Sequence, residues 1–327
     1  MTNSTLRDLA GERILVTGGA GFVGRHVIGA LLGAGAEPAA VFSAGRSGDA
    51  PGAGVSAVRF DLADPESHVA AMRAVKPTAV IHLAAIAHPA RARADKELAW
   101  RLNFDATRSL ATAIATTAPE ARLIFAGSAE AYGRSCAEID GPTAETAPLR
   151  PITAYGATKA AADVMLGQMA IDGLDAVCFR AFNHTGPGQS PDYVVSAFAR
   201  QVARIEKGAQ PRKVTVGGLE SRRDFLDVRD VADAYVKALA KPSFASGERA
   251  LNIASGAARR IGDILDALIA AIGGDVDVEV DAGRLRPDEC PVVCGDASLA
   301  RKTLGWRPAI AFEKTLSDTL DYWRREA

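Results

Sequence analysis

The sequence predicts an α/β fold in which a mostly parallel β-sheet is covered by helices on both faces. In the first half of the chain, short runs of valine, isoleucine and leucine alternate with longer alanine-rich stretches of helical length. A glycine-rich turn joins the first of these runs to the first helical stretch. The length of 327 residues leaves room for a second, smaller lobe beyond this unit.

The elements of the first half alternate as such a sheet requires. The predicted strands cover 13–17, 39–43, 55–61, 79–83, 122–126 and 176–179, and the predicted helices cover 22–34, 65–75, 96–117 and 152–171. Asp64 is suited to cap the second of these helices, because Pro65 after it is tolerated in a first helical turn. The segment 135–150 contains prolines and mixed charges, so it is predicted to be a loop.

The pattern is less regular in the second half of the chain. Helices are predicted at 193–207, 228–239, 261–272 and 312–325, and strands at 213–216, 250–253 and 276–280. Glycine and proline cluster in 183–191, which is therefore predicted to be a loop. These elements predict a smaller α/β lobe that is mostly C-terminal.

Composition and charge argue against several classes of protein. The 38 lysines and arginines are balanced by 39 aspartates and glutamates, whereas a dedicated nucleic-acid binder needs a basic surface. No run approaches the roughly 18 apolar residues of a membrane span, and the first residues lack a signal-peptide pattern, so a cytoplasmic location is expected. Cys290 and Cys294 have no second ligand pair near them in the sequence, so no metal site is predicted.

A glycine pattern marks a candidate phosphate site. Gly18, Gly21 and Gly24 follow the first strand and lead into the first helix. Glycines at this spacing permit a tight turn, close approach of the backbone to a pyrophosphate, and close packing of helix on strand. The amino end of the helix, with Phe22 and Val23, would offer unpaired N–H groups to the phosphates. The sequence therefore predicts a dinucleotide site in a Rossmann-type, doubly wound sheet.

The second strand indicates which dinucleotide is bound. An acidic residue at its end would bind the ribose 2′-hydroxyl of NAD, whereas an arginine would accommodate the 2′-phosphate of NADP. Ser43 ends this strand and Arg46 follows it, while Glu37 lies at the opposite end. NADP(H) is therefore favoured and NAD(H) stays open, because Arg46 could also be an ordinary solvent-exposed arginine.

Two further strand ends are candidates for cofactor contacts. Asp61 and Leu62 follow the third strand, where a carboxylate could meet the adenine amino group. Leu83, Ala84 and Ala85 follow the fourth strand, where small residues let the backbone pass the cofactor. Taken singly, each group also has a packing explanation.

A tyrosine, a lysine and a serine form a candidate acid–base centre. Tyr155 and Lys159 are four residues apart at the start of a predicted helix and so share one face. A tyrosine with its ordinary pKa of about 10 is a poor acid or base at neutral pH, so we expect the Lys159 cation to lower that pKa. Ser128 closes the fifth strand at the carboxyl edge of the sheet, where ligands bind in open α/β folds.

Motifs spread over essentially the whole chain carry a family resemblance. They are Gly18-x-x-Gly21-x-x-Gly24, Ser128 with Tyr132-Gly133, Tyr155-x-x-x-Lys159, Asn103 in Leu-Asn-Phe-Asp-Ala-Thr, and Leu304-Gly305-Trp306-x-Pro308. In this combination the chain resembles the extended short-chain dehydrogenase/reductases, the NAD-dependent epimerase/dehydratase family. The resemblance implies that Tyr155 is the acid/base, that Lys159 holds the nicotinamide ribose and that Ser128 binds the reacting carbonyl. It also implies that Asn103 supports a proton relay.

Three segments resemble one subgroup, the GDP-4-keto-6-deoxy-mannose reductases. They are residues 182–189, 222–228 and 286–289. The resemblance implies that the diphosphate and the nucleotide are held by Asn183, Arg223, Arg286 and Glu289. An arginine fork suits a diphosphate, and a carboxylate suits a ribose diol. A solvated charged turn at Arg222 and Arg223 is the open alternative.

The expected activity is NADP(H)-dependent reduction of a nucleotide-linked 4-keto-6-deoxyhexose. GDP is the favoured nucleotide, and conversion of GDP-4-keto-6-deoxy-mannose to GDP-rhamnose is the first choice. A 4-epimerase or a 4,6-dehydratase stays open, because Glu130 stands two residues after Ser128, where 4,6-dehydratases commonly place an acid. A cofactor-binding regulator is a distant alternative, since such relatives usually lose the tyrosine or the lysine. His88 lies in a loop expected to face the sugar.

Two lobes and a dimer follow from these expectations. Residues 1–182, with about 225–255, would form the dinucleotide-binding lobe, and residues 183–224 and 256–327 the nucleotide-sugar lobe. By resemblance, the helices that carry Asn103 and Tyr155 pair in a homodimer. Neither a nucleic-acid nor a membrane partner is expected.

Overall fold

The computed structural model describes residues 8–48, 52, 54–285 and 290–326. The strands of this part of the chain are β1 (Ile14–Thr17), β2 (Val41–Gly45), β3 (Ser56–Arg59), β4 (Ala79–His82), β5 (Arg122–Ala126), β6 (Ala176–Ala181), β7 (Asn183–Thr185), β8 (Lys213–Val216), β9 (Arg222–Asp227), β10 (Ala250–Ile253), β11 (Ala258–Arg260), β12 (Asp277–Val280) and β13 (Val292–Val293).

The α-helices of the same part of the chain are α1 (Phe22–Gly33), α2 (Pro65–Val75), α3 (Pro89–Ala94), α4 (Lys96–Trp100), α5 (Ala106–Thr117), α6 (Ser135–Glu138), α7 (Ala154–Ile171), α8 (Val194–Glu206), α9 (Val228–Ala240), α10 (Ile261–Ala270), α11 (Ser298–Leu304) and α12 (Phe312–Glu326). A π-helical turn, Arg101–Asp105, joins α4 to α5.

A seven-stranded sheet with the order β10-β6-β5-β4-β1-β2-β3 forms the larger lobe. Every neighbouring pair in it is parallel. The predicted doubly wound α/β fold is thereby confirmed. The strand order reverses direction between β1 and β4, so the connections after these two strands leave a crevice at their carboxyl ends, which is where open α/β sheets bind ligands.

Helices cover both faces of this sheet. Along β1, Ile14 and Val16 belong to a core that includes residues of α1 and α9, whereas Leu15 belongs to a second core that includes residues of α2, α5 and α7. Alternate side chains of a strand point to opposite faces of the sheet. Because both faces are covered by helices, all four residues of β1 are buried. This double cover holds the carboxyl edge of the sheet rigidly in place.

The smaller lobe has its own sheets and its own core. In one sheet β9 lies between β11 and β13 and also pairs with β7, while β8 pairs with β12. Apolar residues of α8, α10 and α12 pack together with β8 in a separate core. The residues assigned to this lobe do not all lie in it: α11 packs against α9 and β10, and the buried Trp306 belongs to the core of the larger lobe.

Several segments differ from the sequence-based expectation. Asn183–Thr185 form β7 within the segment 183–191 that was predicted to be a loop. Residues 135–138 of the expected loop form α6, and the expected helix at 96–117 is interrupted by the π-helical turn. The strand β9 was not expected, because its charged residues hide the alternation of a strand. Asp224 in β9 is fully buried and accepts hydrogen bonds from Ser255, Gly256 and Gly295, so its charge is satisfied inside the lobe.

Candidate active site

The glycine turn after β1 has the shape that a pyrophosphate requires. Gly18 adopts φ 71°, in the left-handed region. A Cβ on Gly24 would lie 2.3 Å from the Gly18 carbonyl oxygen, so only glycine allows α1 to begin this close to the strand. No side chain caps the amino end of α1, and no acidic residue lies in its first turn. Its N–H groups and helix dipole can therefore serve an anion.

The end of β4 lies directly beside this turn. A Cβ on Gly18 would lie 3.1 Å from the Ala84 backbone nitrogen. The Leu83 amide donates to the Thr17 carbonyl over 3.2 Å, and the Ala84 amide donates to Thr17 Oγ1 over 3.2 Å. Leu83, Ala84 and Ala85 are half-buried, as are Phe22 and Val23 in the first turn of α1. The structure therefore brings these predicted cofactor residues together at one edge.

The end of β2 completes the same edge. Ser43 is buried, and its Oγ lies 2.6 Å from the position that a Cβ on Gly19 would take. Arg46 is exposed in the turn that follows β2. Asp61 and Leu62 are half-buried after β3, and Asp61 Oδ1 accepts the Ala63 amide over 3.0 Å. An arginine therefore follows β2, and no carboxylate lies at the carboxyl end of that strand.

Ser128, Tyr155 and Lys159 converge one strand away, where β5 ends. Ser128 accepts the Glu130 amide over 3.1 Å, and its hydroxyl lies close enough to Tyr155 to influence the pKa of the phenol. Thr153 caps α7 by accepting the Gly156 amide over 2.9 Å, which fixes the turn that carries Tyr155. Lys159 is buried, and its Nζ donates to the Ala126 carbonyl over 2.7 Å.

The electrostatics of this centre correct one expectation. The net shift of the Tyr155 pKa is upward, because burial disfavours the phenolate and the nearby Glu130 carboxylate adds to the effect, although the Ser128 hydrogen bond acts in the opposite direction. The expected lowering by Lys159 is therefore wrong. Burial also lowers the pKa of Lys159 itself, to about 8. Tyr155 thus keeps its proton at neutral pH.

Glu130 lies in the short turn after Ser128 and contacts the start of α7. Its Oε2 accepts the Thr153 hydroxyl over 2.8 Å, and a Cβ on Gly156 would lie 2.5 Å from the Glu130 carbonyl oxygen. The short turn after Ser128 is therefore packed tightly on the first turn of α7. Glu130 reaches Tyr155 electrostatically, since its charge raises the pKa of that residue.

Asn103 occupies the π-helical turn between α4 and α5 and is 1% exposed. Its Oδ1 accepts the Ile86 amide over 2.7 Å, and its Nδ2 donates to the Ile86 carbonyl over 3.1 Å and to Thr158 Oγ1 over 3.2 Å. Asn103 thereby fastens the segment after β4 to α7. Such π-helical turns occur often at functional sites.

The predicted substrate residues lie on the side of the smaller lobe. His88 Nε2 lies 3.3 Å from the Asp192 carbonyl oxygen, and its ring meets the Tyr193 ring edge-on at 5.3 Å. Asn183 is exposed in β7. Arg223 is 8% exposed in β9, and its Nη1 donates to the Arg222 carbonyl over 2.8 Å, so it does not lie in a solvated turn. Arg286 and Glu289 lie outside the described residues.

Sequence reasoning missed several polar residues around the site. Tyr193 approaches Tyr155 closely enough to raise its pKa, and the buried Thr17, His82 and Thr107 connect the strand ends with α5. His82 left one signal in the sequence, since it is a polar residue at the end of an otherwise apolar strand. Tyr193 left none, because its position depends on how the two lobes pack.

The described residues bear on two further questions, metal binding and insertion into a membrane. Among these residues no cluster of three or more histidine, cysteine, aspartate or glutamate side chains could hold a metal ion. Within the same ranges, no helix has the length and apolar character needed to cross a bilayer. Cys290 Sγ lies 3.3 Å from the Gly133 carbonyl oxygen, and Cys294 lies near Asp224.

Comparison with known proteins gives consistent similarities. A family model described as the NAD dependent epimerase/dehydratase family matches residues 14–254. The GDP-6-deoxy-D-mannose reductase of Pseudomonas aeruginosa is 31% identical over 313 residues, which cover 95% of this chain and 97% of that protein. The matched regions include the glycine turn, Ser128 and the Tyr155–Lys159 pair.

Solved structures are similar over the same length. The structure of RMD from Pseudomonas aeruginosa complexed with NADPH has a TM-score of 0.83 and 28% identity, and the match covers 97% of this chain and 100% of that one. The UDP-glucose 4-epimerase of Thermotoga maritima with UDP-glucose has a TM-score of 0.85 and 26% identity, covering 96% and 99%. A reductase and an epimerase are thus both among the similar proteins.

Proposed function

The chain belongs to the NAD dependent epimerase/dehydratase family of extended short-chain dehydrogenase/reductases, an enzyme family that modifies nucleotide sugars, and from this premise we propose that it is an NADP(H)-dependent reductase. Its substrate is a nucleotide-linked 4-keto-6-deoxyhexose, with GDP-4-keto-6-deoxy-mannose as first choice and GDP-rhamnose as product. The similarity to a GDP-6-deoxy-D-mannose reductase over 95% of the chain supports this choice among the activities of the family.

One observation carries the proposal: Ser128 and Tyr155 lie close together at the carboxyl edge of the sheet that also presents the glycine turn. Reduction of a carbonyl needs a proton donor at the carbonyl oxygen. Because burial and Glu130 keep Tyr155 protonated, its phenol is in the state that donates. A centre poised to oxidise an alcohol would instead need the phenolate.

The reaction assigns one task to each residue. A bound reduced nicotinamide would supply the hydride to C4 of the sugar. Ser128 holds the carbonyl oxygen through its hydroxyl, and Tyr155 transfers its phenolic proton to that oxygen, giving the neutral alcohol. Lys159 lies one turn along α7, and we assign its Nζ, which donates to the Ala126 carbonyl, to the nicotinamide ribose of the cofactor. Acid catalysis of this kind contributes about 10²–10⁴-fold to the rate.

The residues at the sheet edge fit an NADP-type cofactor. Gly18, Gly21 and Gly24 shape the pyrophosphate turn, and Phe22 and Val23 lie in the first turn of the helix that would face it. Leu83, Ala84 and Ala85 line the path beside Gly18, whereas Asp61 and Leu62 follow β3, which is separated from β1 by β2. Ser43 and Arg46 stand where a ribose 2′-phosphate would lie, which supports NADP(H) over NAD(H).

Replacing Arg46 with aspartate should reverse this preference. A charge-assisted hydrogen bond to the 2′-phosphate is worth roughly 1.5–3 kcal/mol, so the ratio of kcat/KM for NADPH to that for NADH should fall about ten- to hundredfold. Arg73→Asp, at an exposed position of α2, makes the same charge change away from the site and should leave the ratio unchanged. A wild type that prefers NADH, or an Arg46→Asp variant with an unchanged ratio, would remove the assignment of NADP(H).

The sugar and its nucleotide would occupy the cleft towards the smaller lobe. We assign the diphosphate and nucleotide to Asn183, Arg223, Arg286 and Glu289, and the sugar to Ser128 and His88. The position of His88 against Tyr193 supports its assignment, because this pair joins the two lobes beside Tyr155. Exposed apolar residues on α7, Val164 at 64% and Ile171 at 86%, support a homodimer that pairs through this helix.

The test of the proposed function uses two substrates. Purified protein is incubated with GDP-4-keto-6-deoxy-mannose and NADPH, and the loss of NADPH absorbance is followed while the product is identified by mass. Stoichiometric oxidation of NADPH is expected. Incubation with GDP-mannose and no added reductant should leave that sugar unchanged, whereas its dehydration would show a 4,6-dehydratase.

The position of Glu130 is the observation that favours this second candidate. A 4,6-dehydratase would need it as an acid/base for the proton at C5, whereas the hydrogen bond from Thr153 gives it a supporting role in a reductase. The two roles predict different effects of Glu130→Gln. In a dehydratase this change would abolish turnover, and in the proposed reductase turnover would continue.

The pH profile of Glu130→Gln gives a further prediction. Reduction requires the protonated phenol, so activity falls as the pH rises through the pKa of Tyr155. The Glu130 carboxylate raises that pKa, so its neutralisation should move the alkaline limb of kcat/KM to lower pH. Glu138→Gln, at α6, is the matched control and should not move the limb. An alkaline limb that shifts upward in Glu130→Gln would contradict the assigned role of Tyr155.

A further inference from the structure

An unbroken chain of buried hydrogen bonds runs from β1 to α7. The Ala84 amide donates to Thr17 Oγ1, and Thr17 Oγ1 lies 2.7 Å from His82 Nδ1. On the other side of the ring, His82 Nε2 lies 3.1 Å from Thr107 Oγ1, and Thr107 Oγ1 donates to the Asn103 carbonyl over 2.8 Å. The chain therefore links residues that belong to four separate elements.

The donors and acceptors along the chain fix the protonation of His82. The single hydroxyl proton of Thr107 is given to Asn103, so Thr107 Oγ1 accepts from His82, and the proton of the ring must be on Nε2. His82 Nδ1 then accepts the hydroxyl proton of Thr17. The ring is 1% exposed, and burial together with the Lys159 charge lowers its pKa to about 3, so it stays neutral.

The two ends of the chain lie at the two halves of the active site. Thr17 directly precedes Gly18, and Ala84 lies against that glycine, so one end touches the cofactor turn. At the other end, Asn103 bonds through its side chain to Thr158, whose hydroxyl donates to the Tyr155 carbonyl over 2.8 Å. His82 is the middle member and contacts neither end directly.

We propose that His82 is a positioning residue that sets the Tyr155 turn of α7 relative to the cofactor turn after β1. This inference rests on the proposed function only in taking Tyr155 as the proton donor. His82 acts through Thr17 on one side and through Thr107 and Asn103 on the other. Hydride transfer and proton transfer must occur at one carbonyl, so the two halves of the site have to keep a fixed separation.

Two substitutions of His82 each remove the hydrogen bond on one side of the imidazole ring and keep the bond on the other side. In His82→Asn the amide oxygen stands at the place of Nδ1 and can still accept from Thr17, while the bond to Thr107 is lost. In His82→Gln the amide nitrogen stands at the place of Nε2 and can still donate to Thr107, while the bond to Thr17 is lost. His82→Leu removes both bonds.

These variants should affect the Kd for NADPH and kcat separately. His82→Asn is expected to keep the wild-type Kd for NADPH and to lose about tenfold in kcat, while His82→Gln weakens NADPH binding and keeps most of kcat. In all of them KM for the sugar should change little, because His82 is buried away from the substrate cleft. Thr107→Val should reproduce the kcat loss of His82→Asn, and the double variant should lose no more than either single variant, since both break one link.

Hydrogen–deuterium exchange provides a second test of the role of His82, and this test needs no sugar substrate. His82→Asn should raise exchange in peptides that cover 101–107 and 154–160, and His82→Gln in peptides that cover 16–24. A wild type that reduces no 4-keto sugar would end the proposed function but would leave this pattern as expected. The inference is overturned if the Asn, Gln and Leu variants share one exchange pattern, or if all of them keep wild-type kcat and Kd per folded protein and differ only in Tm.

Discussion

Replacing Tyr155 with phenylalanine is expected to lower kcat by about 10²–10⁴-fold while NADPH binding stays nearly unchanged. The phenyl ring keeps the packing of the first turn of α7, because only the hydroxyl group is removed. That hydroxyl lies close to Ser128 and is, in the proposed reaction, the source of the proton. The cofactor turn lies on other elements, so its affinity for the dinucleotide does not depend on this group.

The measurement compares steady-state NADPH oxidation with the Kd of NADPH from fluorescence titration. Tyr322→Phe is the matched control, because the same group is removed from a tyrosine of α12, in the smaller lobe, and kcat should not change. A Tyr155→Phe variant with more than a tenth of wild-type kcat would show that another group supplies the proton. Tyr193 would then be the next residue to examine, since it also lies beside Tyr155.

Replacing Gly24 with alanine is expected to weaken cofactor binding by about ten- to hundredfold. The added Cβ would lie 2.3 Å from the Gly18 carbonyl oxygen and 2.7 Å from the Gly19 Cα, and both are backbone atoms that cannot move aside. The turn has to shift to relieve this clash. Loss of one charge-assisted N–H bond to the pyrophosphate costs about 1.5–3 kcal/mol, and each 1.4 kcal/mol corresponds to tenfold in affinity. The strain falls on the turn that would hold the pyrophosphate.

Gly29→Ala is the control for this prediction, because Gly29 lies in the same helix and a Cβ there meets nothing within 4 Å. Alanine is the better helix former by about 1 kcal/mol, so this variant should unfold at a slightly higher temperature and bind NADPH as the wild type does. Equal Kd values for Gly24→Ala and Gly29→Ala would show that the turn does not hold the cofactor.

The strands and helices of the larger lobe could be predicted because their signals come from residues that are close together in the sequence. The run at 79–83 is apolar because β4 is buried on both faces, and Asp64 before Pro65 marks a helix start through its own side-chain bond to the Glu66 amide. The glycine spacing is equally local, since Gly24 must be small for reasons set within six residues. Each of these signals depends on neighbours in sequence.

The elements that were missed depend on partners far along the chain. The burial of Asp224 in β9 depends on amides at 255–256 and 295, and no spacing rule connects these segments. The rise in the Tyr155 pKa has the same origin, because burial is its largest cause and burial is set by the whole fold. His82 and Thr107 are 25 residues apart, and their contact exists only once α5 has packed on the sheet.

The return of the chain to the larger lobe near its end affects how the protein folds. Trp306 Nε1 donates to the Asp230 carbonyl over 2.9 Å, and the Asp230 carboxylate accepts the amides of Ala309 and Ile310. A fragment that stopped at residue 254, where the family match ends, would leave this carboxylate without those donors and would expose the apolar surface around α9. We therefore expect the two lobes to unfold as one cooperative unit, and simple truncation should not yield a stable half that binds the cofactor.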